Sequence, residues 1–588
     1  MERLASSVLL PAPRHVESHP GAAVVPLVGT VAVGNLGVPG FVSAQDNPWI
    51  HRQNASHLGP EAYRLTIADD GITLASADDR GARHGLRTLA QLIAVHGSHL
   101  PCGVIEDAPA FAVRGVLLDI SRDRIPTMAE FRRIIDQLAS WKINHLQLYV
   151  EHTVAYVGHE DVWRDLDPLT PEEIRELDAF CQARGIDLAA NQNCFGHLAA
   201  WFKHPRYAPL AEISPEGSWD FNGLVTRQGG FSLCPGDPRS LALVQDWLGQ
   251  LLPLHSAPVV NIGCDETFDV GQGRSKELVS TRGRTAVWAD FTAQICAEVA
   301  RHGKRPSFWA DIALEHPEAL AALPRDTIGL AWSYEADAPF ERWVRQLTSL
   351  GLESWVCPGT SSWRSITGRT GERQANLLAA AQGGLAAGAT GFLVCDWGDL
   401  GHRQQWPIAL HGLAEAAHRA WSGTAPYDPA TGSRHAFGSP ELGPWLDRFG
   451  AIDAHFRAIG GRSPGAPLRN ATALFTDLHH PLGHPWIGSA GDWANLGRDL
   501  GYLRDALPDG LDRQIGEELH HAWRVALAAA TRGAFRRSAN SPALREMAGH
   551  WHDLTAEHRL LWLRRSRPGG LAASCRHYEQ VANACSTA

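Results

Sequence analysis

Apolar and polar positions follow two different rhythms along this chain. Up to about residue 110 short β-rich runs dominate, and "YRLTIADDGITLASADD" (63–79) sets two of them around Asp69-Asp70-Gly71, which predicts a hairpin. "ARHGLRTLAQLIAVHG" then puts Leu86, Leu89, Ala90 and Ile93 on one stripe, which predicts a helix ending at Gly97. Strands followed by a helix laid on one face predict a small α+β domain over residues 1–111.

From about residue 112 strands and helices alternate. "VRGVLLDI" (113–120) reads as a buried strand, Thr127 as the cap of the next helix with Glu130 closing a capping box, and Phe131, Ile134, Ile135 and Leu138 as that helix's inner stripe. Thr170, Pro171, Glu173 and Gly185 repeat the same start and stop signals. Strands are predicted to begin near 113, 145, 186, 259, 306, 327, 353 and 391. Eight such units predict a (β/α)8 barrel over residues 112–423. A doubly wound sheet is the competing layout, but no Gly-rich dinucleotide fingerprint follows the first strand. Beyond it, Ala-, Leu- and Arg-rich stretches with helical spacing, such as "QIGEELHHAWRVALAAATRGAF" (514–535), predict a helical region over 424–588.

Composition narrows the function classes. A net charge of −10 without any basic run gives nucleic acid no footprint. The apolar patch before Pro11 is too short for a signal-peptide core, and no later run approaches the roughly 18 apolar residues of a spanning helix. Ten cysteines are scattered without a CxxC pair and several lie in apolar runs, so they read as reduced thiols and the expected location is the cytoplasm.

The stretch "VVNIGCDETFDVGQG" (259–273) ends an aliphatic strand on two adjacent acids, Asp265 and Glu266. Acids are among the least often buried residues, so the pair calls for a reason. At the other strand ends stand Arg114 and Asp119, Tyr149 and Glu151, Asn191, Asn193 and His197, Trp309 and Asp311, Trp332 and Tyr334, Trp363, and Asp396, Trp397 and Asp399. Carboxylates and amides bond sugar hydroxyls and indole faces stack on sugar C–H surfaces, so this set suits a carbohydrate. Each residue also has a plain structural role open to it: a Trp in the core, a satisfied histidine, a carboxylate capping a helix. Neighbours on a strand point to opposite faces unless the chain bends, so Asp265 and Glu266 are poorly placed to flank a bond about 5 Å apart as a conventional retaining pair does. One acid as proton donor and the other as positioner of a nucleophile supplied by the substrate fits better.

These motifs together resemble the glycoside hydrolase family 20 β-N-acetylhexosaminidases. "EAYRLTIADDGITLASADDRGARHGLRTLAQLI" (61–93) is similar to the family's small α+β domain, "VRGVLLDISRDRIPT" to its first barrel strand with a sugar-binding arginine, and "NIGCDET" to its Asp-Glu signature. "ANQNCFGHLAAWFKHPRY" (190–207) and "FLVCDWGDLGH" resemble the hexosaminidase D-like branch and its bacterial relatives. The resemblance implies an exo-acting, retaining enzyme that removes terminal β-linked N-acetylgalactosamine or N-acetylglucosamine. Glu266 would be general acid then base, and Asp265 would orient the 2-acetamido group. Arg114, Asn193, His197, Trp309, Trp332, Tyr334, Trp363, Asp396, Trp397 and Asp399 would bind the sugar, with Tyr334, or else Tyr149, supporting the acetamido carbonyl. It implies a glycan or glycoside partner and no metal or organic cofactor; the epimer, the leaving group and the oligomeric state stay open, a homodimer included. Two rivals remain: a metal-dependent hydrolase on the same barrel, against which no HExxH spacing occurs, and a carbohydrate-binding pseudoenzyme, against which the acid pair is intact.

Overall fold

The computed structural model describes residues 3–25, 32–33, 36–37, 50–460, 468–480 and 487–588. Part of the predicted N-terminal domain therefore lies outside the described residues. The rest of it forms a five-stranded sheet in the order His15–Val24, His99–Asp107, Tyr63–Ala68, Gly71–Ser76, Ile50–Asn54, with the helix Asp79–His96 against it. Asp78 caps that helix by accepting from the Gly81 amide, and Gly97 ends it in a positive-φ conformation.

Eight parallel strands close into a barrel: Val113–Asp119, His145–Tyr149, Asp187–Asn191, Val259–Asn261, Arg305–Trp309, Ile328–Trp332, Glu353–Cys357 and Gly391–Asp396. Each starts within one residue of its expected place. The α+β domain meets the barrel at its floor, the end where strands begin, through Glu61 with Arg114 and Asp107 with Lys142, and the region from Pro429 onward packs against the barrel and reaches its mouth at Asn470. Among the described residues no helix is long and apolar enough to cross a membrane.

One capping expectation is corrected. Thr127 does accept the Glu130 amide at 3.2 Å, but the Glu130 carboxylate does not turn back to close the box. It bonds Arg565 of the C-terminal region at 2.6 Å instead, a long-range charge outbidding a local backbone donor. At Thr170 and Glu173 the capping box forms in full.

Candidate active site

The two adjacent acids reach one cavity because the chain bends after an unusually short strand. Strand four pairs only over Val259–Asn261, after which Gly263, Cys264 and Glu266 take φ values of 70°, 75° and 54°. Left-handed backbone at non-glycine residues persists only where surroundings hold it. Here the Trp288 indole donates to the Cys264 carbonyl at 3.1 Å, and the Glu266 amide donates to Asp311 Oδ2 at 2.9 Å. The strict alternation expected of a strand is broken, and Asp265 and Glu266 both line a cavity of about 520 Å³ at the C-terminal mouth of the barrel.

His197 joins the acids. Its Nε2 lies 3.2 Å from Asp265 Oδ2 and 3.5 Å from Glu266 Oε2, and its Nδ1 lies 3.7 Å from Glu151. Burial opposes its protonation, but Asp265, Glu266 and Glu151 outweigh burial and lift His197 to about 9. Burial also raises Glu266 above the usual carboxylate range; the His197 cation resists that rise and the Asp265 anion adds to it. Asp265 Oδ1 is buried and carries no hydrogen bond. A buried acceptor left open in this way is a place for a donor that arrives with a ligand.

The aromatic walls come from strands two, five, six and eight. Trp397 stands edge-on to Tyr149 with ring centroids 4.6 Å apart and lies 6.1 Å from Trp309; Trp332 and Tyr334 are 5.5 Å apart. The Trp397 indole donates to the Tyr334 hydroxyl at 2.6 Å, and the Cys395 thiol is that hydroxyl's other hydrogen-bond neighbour. The hydroxyl of Tyr149, the alternative, donates to Glu151 at 2.9 Å. His197, Trp309, Trp332, Tyr334, Trp397 and Asp399 all line the cavity with the two acids.

Four expected sugar-binding residues do not line it. Arg114 sits at the start of strand one, on the barrel floor, fully buried; it donates to the carbonyls of Lys142, Phe111 and Ala112 at 2.9, 2.9 and 3.1 Å and pairs with Glu61. Asn193 lies beneath the floor of the cavity with its Nδ2 on the Val150 carbonyl. Trp363 is buried behind Tyr334, edge-on at 4.9 Å. Asp396 accepts from Thr360 and Ser362, both at 2.6 Å, and faces a small internal cavity of about 40 Å³ toward the C-terminal helices.

The arginine at the mouth is Arg122. It pairs with Asp119 at 3.1 Å and Glu151 at 3.2 Å, and its guanidinium carbon stands 4.7 Å from the centroid of Tyr149. Its position, three residues past the end of strand one, was signal enough, since loops at that end of a barrel build the site. Sequence reasoning also missed Phe221, Arg227, Phe231, Arg364, Leu400 and Asn470. Phe221 and Arg227 ride on a hairpin, Ser218–Phe221 with Val225–Gln228, whose Asn222-Gly223 turn was a readable cue. Asn470 comes from the C-terminal region, held by Arg369 through its backbone carbonyl at 2.7 Å and through its side chain, and no local signal marks it. Among the described residues no three His, Cys, Asp or Glu side chains are grouped to hold a metal ion.

A barrel whose mouth gathers acids, a protonated imidazole and indoles defines a carbohydrate-processing class of site. Residues 30–108 match the family model "Glycosyl hydrolase family 20, domain 2" and residues 111–358 match "Glycosyl hydrolase family 20, catalytic domain". The chain belongs to glycosyl hydrolase family 20.

Similar curated proteins include a beta-hexosaminidase of Akkermansia muciniphila, 28% identical over 45% of this chain and 59% of that protein. Hexosaminidase D of Homo sapiens is 26% identical over 39% of this chain and 46% of that protein. The chain thus spans about half the length of the curated relatives it matches. Among solved structures, the GH20 β-N-acetylhexosaminidase from Streptomyces coelicolor A3(2) superposes with a TM-score of 0.57 at 20% identity, covering 74% of this chain and 97% of that one. The GH20 exo β-N-acetylglucosaminidase from Vibrio harveyi gives 0.57 at 20% identity, over 72% and 74%. At these identities the superpositions speak to the fold.

Proposed function

We propose that the protein is an exo-acting, retaining β-N-acetylhexosaminidase in which the substrate's own 2-acetamido group is the nucleophile. The observation that carries the reading is the open, buried Oδ1 of Asp265 beside Glu266, whose carboxyl burial raises above the usual carboxylate range, in the same cavity. An acetamido N–H bonded to that oxygen would aim the amide carbonyl at the anomeric carbon.

In the first step the carbonyl oxygen bonds to C1 while the C1–O bond to the leaving group breaks. Glu266 gives its proton to the departing oxygen, and the positive charge on the resulting oxazolinium faces the Asp265 carboxylate. In the second, Glu266 takes a proton from water as that water attacks C1, and the ring opens to release the β-configured sugar. Two inversions at one carbon give retention, and the family is a known exception to the two-carboxylate scheme. Trp309, Trp332 and Trp397 would wall the acetamide and sugar ring, and Tyr334 would donate to the carbonyl oxygen. Ten buried, unpaired cysteines support a reducing compartment such as the cytoplasm.

Initial rates on the p-nitrophenyl β-glycosides of N-acetylgalactosamine and N-acetylglucosamine test the reading. Turnover of at least one, lost in Glu266→Gln, is expected, and the rate ratio assigns the epimer. A folded protein that turns over neither would sink it.

A further inference from the structure

Neutral sugar hydroxyls do not account for the charge at the mouth. Three arginines line the cavity. Arg122 is neutralised by Asp119, Glu151 and, at 3.8 Å, Asp399. The guanidinium groups of Arg227 and Arg364 have no hydrogen bond or ion pair among the described residues; only longer-range anions act on them, Glu266, Asp399 and Asp269 on Arg227 and Asp399 and Glu335 on Arg364. A partly buried guanidinium with no anion in direct contact keeps its N–H groups unspent, so an acidic group arriving with a ligand can complete it.

Arg227 has the better-defined position. It lies opposite Trp219 in the hairpin register, with its guanidinium carbon 3.7 Å from the centroid of Phe221 and 5.4 Å from that of Phe231. Stacking uses a guanidinium's face and leaves its in-plane N–H fork free for a carboxylate or sulfate. The hairpin is clamped to the loop that carries Glu266. The Gln272 side chain accepts from the Asp220 amide and donates to the Asp220 carbonyl, both at 2.9 Å. At the hairpin's base, Ser232 donates to Asp269 through its amide at 2.9 Å and its hydroxyl at 2.5 Å. Phe221 packs edge-on against Phe268, two residues past Glu266, at 5.2 Å. Arg227 is therefore fixed on the proton donor's side of the cavity. The donor adjoins the bond that breaks, so the space outward from it receives the leaving group.

We propose that Arg227 is the anion-recognising residue of the leaving-group subsite, and that the substrates are β-N-acetylhexosaminides whose next sugar is acidic, as a uronic acid or a sulfated hexose. The proposal rests on the hydrolase reading above and adds the substrate class. Phe221 offers a ring face to that sugar's C–H surface and Arg227 a bidentate partner to its acid group. Arg364 stands on another wall, in the loop after strand seven, where its backbone carbonyl accepts from Thr472 at 3.1 Å.

The test compares kcat/KM for disaccharides in which the same terminal N-acetylhexosamine is β-linked to glucuronic acid, to glucose or to a sulfated glucose, for wild type, Arg227→Gln and Arg227→Lys. Wild type is expected to favour an acidic leaving group by about tenfold or more, the preference falling toward one in Arg227→Gln and partly returning in Arg227→Lys. Added salt should erode it. Which acidic compound is preferred identifies the source of the anion. Equal wild-type rates on acidic and neutral leaving groups, or a preference that survives Arg227→Gln, would overturn the proposal. If no glycoside is turned over at all, the hydrolase reading fails separately; calorimetric binding of the acidic disaccharide that depends on Arg227 would then still support the subsite, and binding indifferent to Arg227 would remove it.

Discussion

The barrel keeps buried charge at both of its ends, and the two ends treat it differently. On the floor, Glu61 pairs with Arg114 and bonds His84 at 3.1 Å, while Asp107 Oδ2 accepts from Lys142, Tyr63 and Trp421, each at 2.9 Å. No polar side-chain atom of Glu61, Asp107, Arg114 or Lys142 is left without a hydrogen bond. At the mouth, Asp265 Oδ1, Asp311 Oδ1 and Arg364 Nε are buried and open. A completed network holds two domains together and has nothing left to offer a ligand; an incomplete one stores binding capacity. Burial of charge alone therefore does not mark a site; open buried atoms also occur elsewhere, at Glu372 Oε2 and Arg403 Nε for example, and what singles out the mouth is that Asp265 and Arg364 border one cavity.

Exchanging single residues at the two ends should separate the cases. Glu266→Gln is expected to lower kcat/KM by about 10³-fold with an unchanged melting temperature, since it removes the transferable proton and little packing. Arg114→Met should do the reverse, destabilising the fold by about 3–5 kcal/mol in denaturant titration, because Glu61 stays buried with only the half-exposed Arg80 left to balance it, while the surviving folded protein keeps its kcat. A large loss of kcat in that variant, at full stability, would erase the contrast. Asp265→Asn should cost about 10²-fold in kcat and also lower stability below pH 6.5, since it removes the leading anion that holds the His197 charge.

The electrostatic coupling at the mouth gives a smaller, directional effect. In the proposed mechanism Glu266 must be protonated to act as acid, so kcat/KM should fall on the alkaline side as it ionises. The His197 cation lowers the Glu266 pKa, and His197→Gln should therefore move that limb to higher pH. His197 has a folded-state pKa of about 9 against an ordinary 6.5, so its charge stabilises the fold fully below pH 6.5 and loses that contribution as pH rises toward 9. The melting temperature of His197→Gln should be flatter than wild type across that window. Smallest of all, Trp397→Phe removes one hydrogen bond to Tyr334 and should raise KM a few-fold.

Much of the scaffold was legible because it is written in local pattern. Aliphatic runs bounded by caps and glycines placed all eight strands, and Thr170 with Glu173 announced a capping box that forms. Glu130 shows where that legibility stops: the same local pattern was overridden by Arg565, 435 residues away in sequence. Arg114 was misplaced for an avoidable reason. It is the second residue of a seven-residue strand, so at about 3.3 Å per residue it stands at the opposite end of the barrel from Asp119. Asp265 and Glu266 were identified as a pair, yet the bend that turns both inward depends on positive φ at Cys264 and Glu266, which no residue preference would suggest. Arg364 and Asn470 meet the cavity only through tertiary folding.

The wall to which Asn470 belongs has a consequence for how such an enzyme diversifies. The catalytic-domain match covers residues 111–358 and so contains Asp265, Glu266, His197 and Arg227, whereas Arg364, Trp397, Asp399 and Asn470 lie beyond it. The matched stretch supplies both acids, and the cavity is completed by Arg364 from the loop after strand seven, Trp397 and Asp399 after the last barrel strand and Asn470 from the helical region. Grafting a different appendage onto the same barrel would re-shape what the pocket admits while leaving Glu266, the proposed proton donor, untouched, so specificity can drift by exchange of a module rather than by mutation of the acid pair.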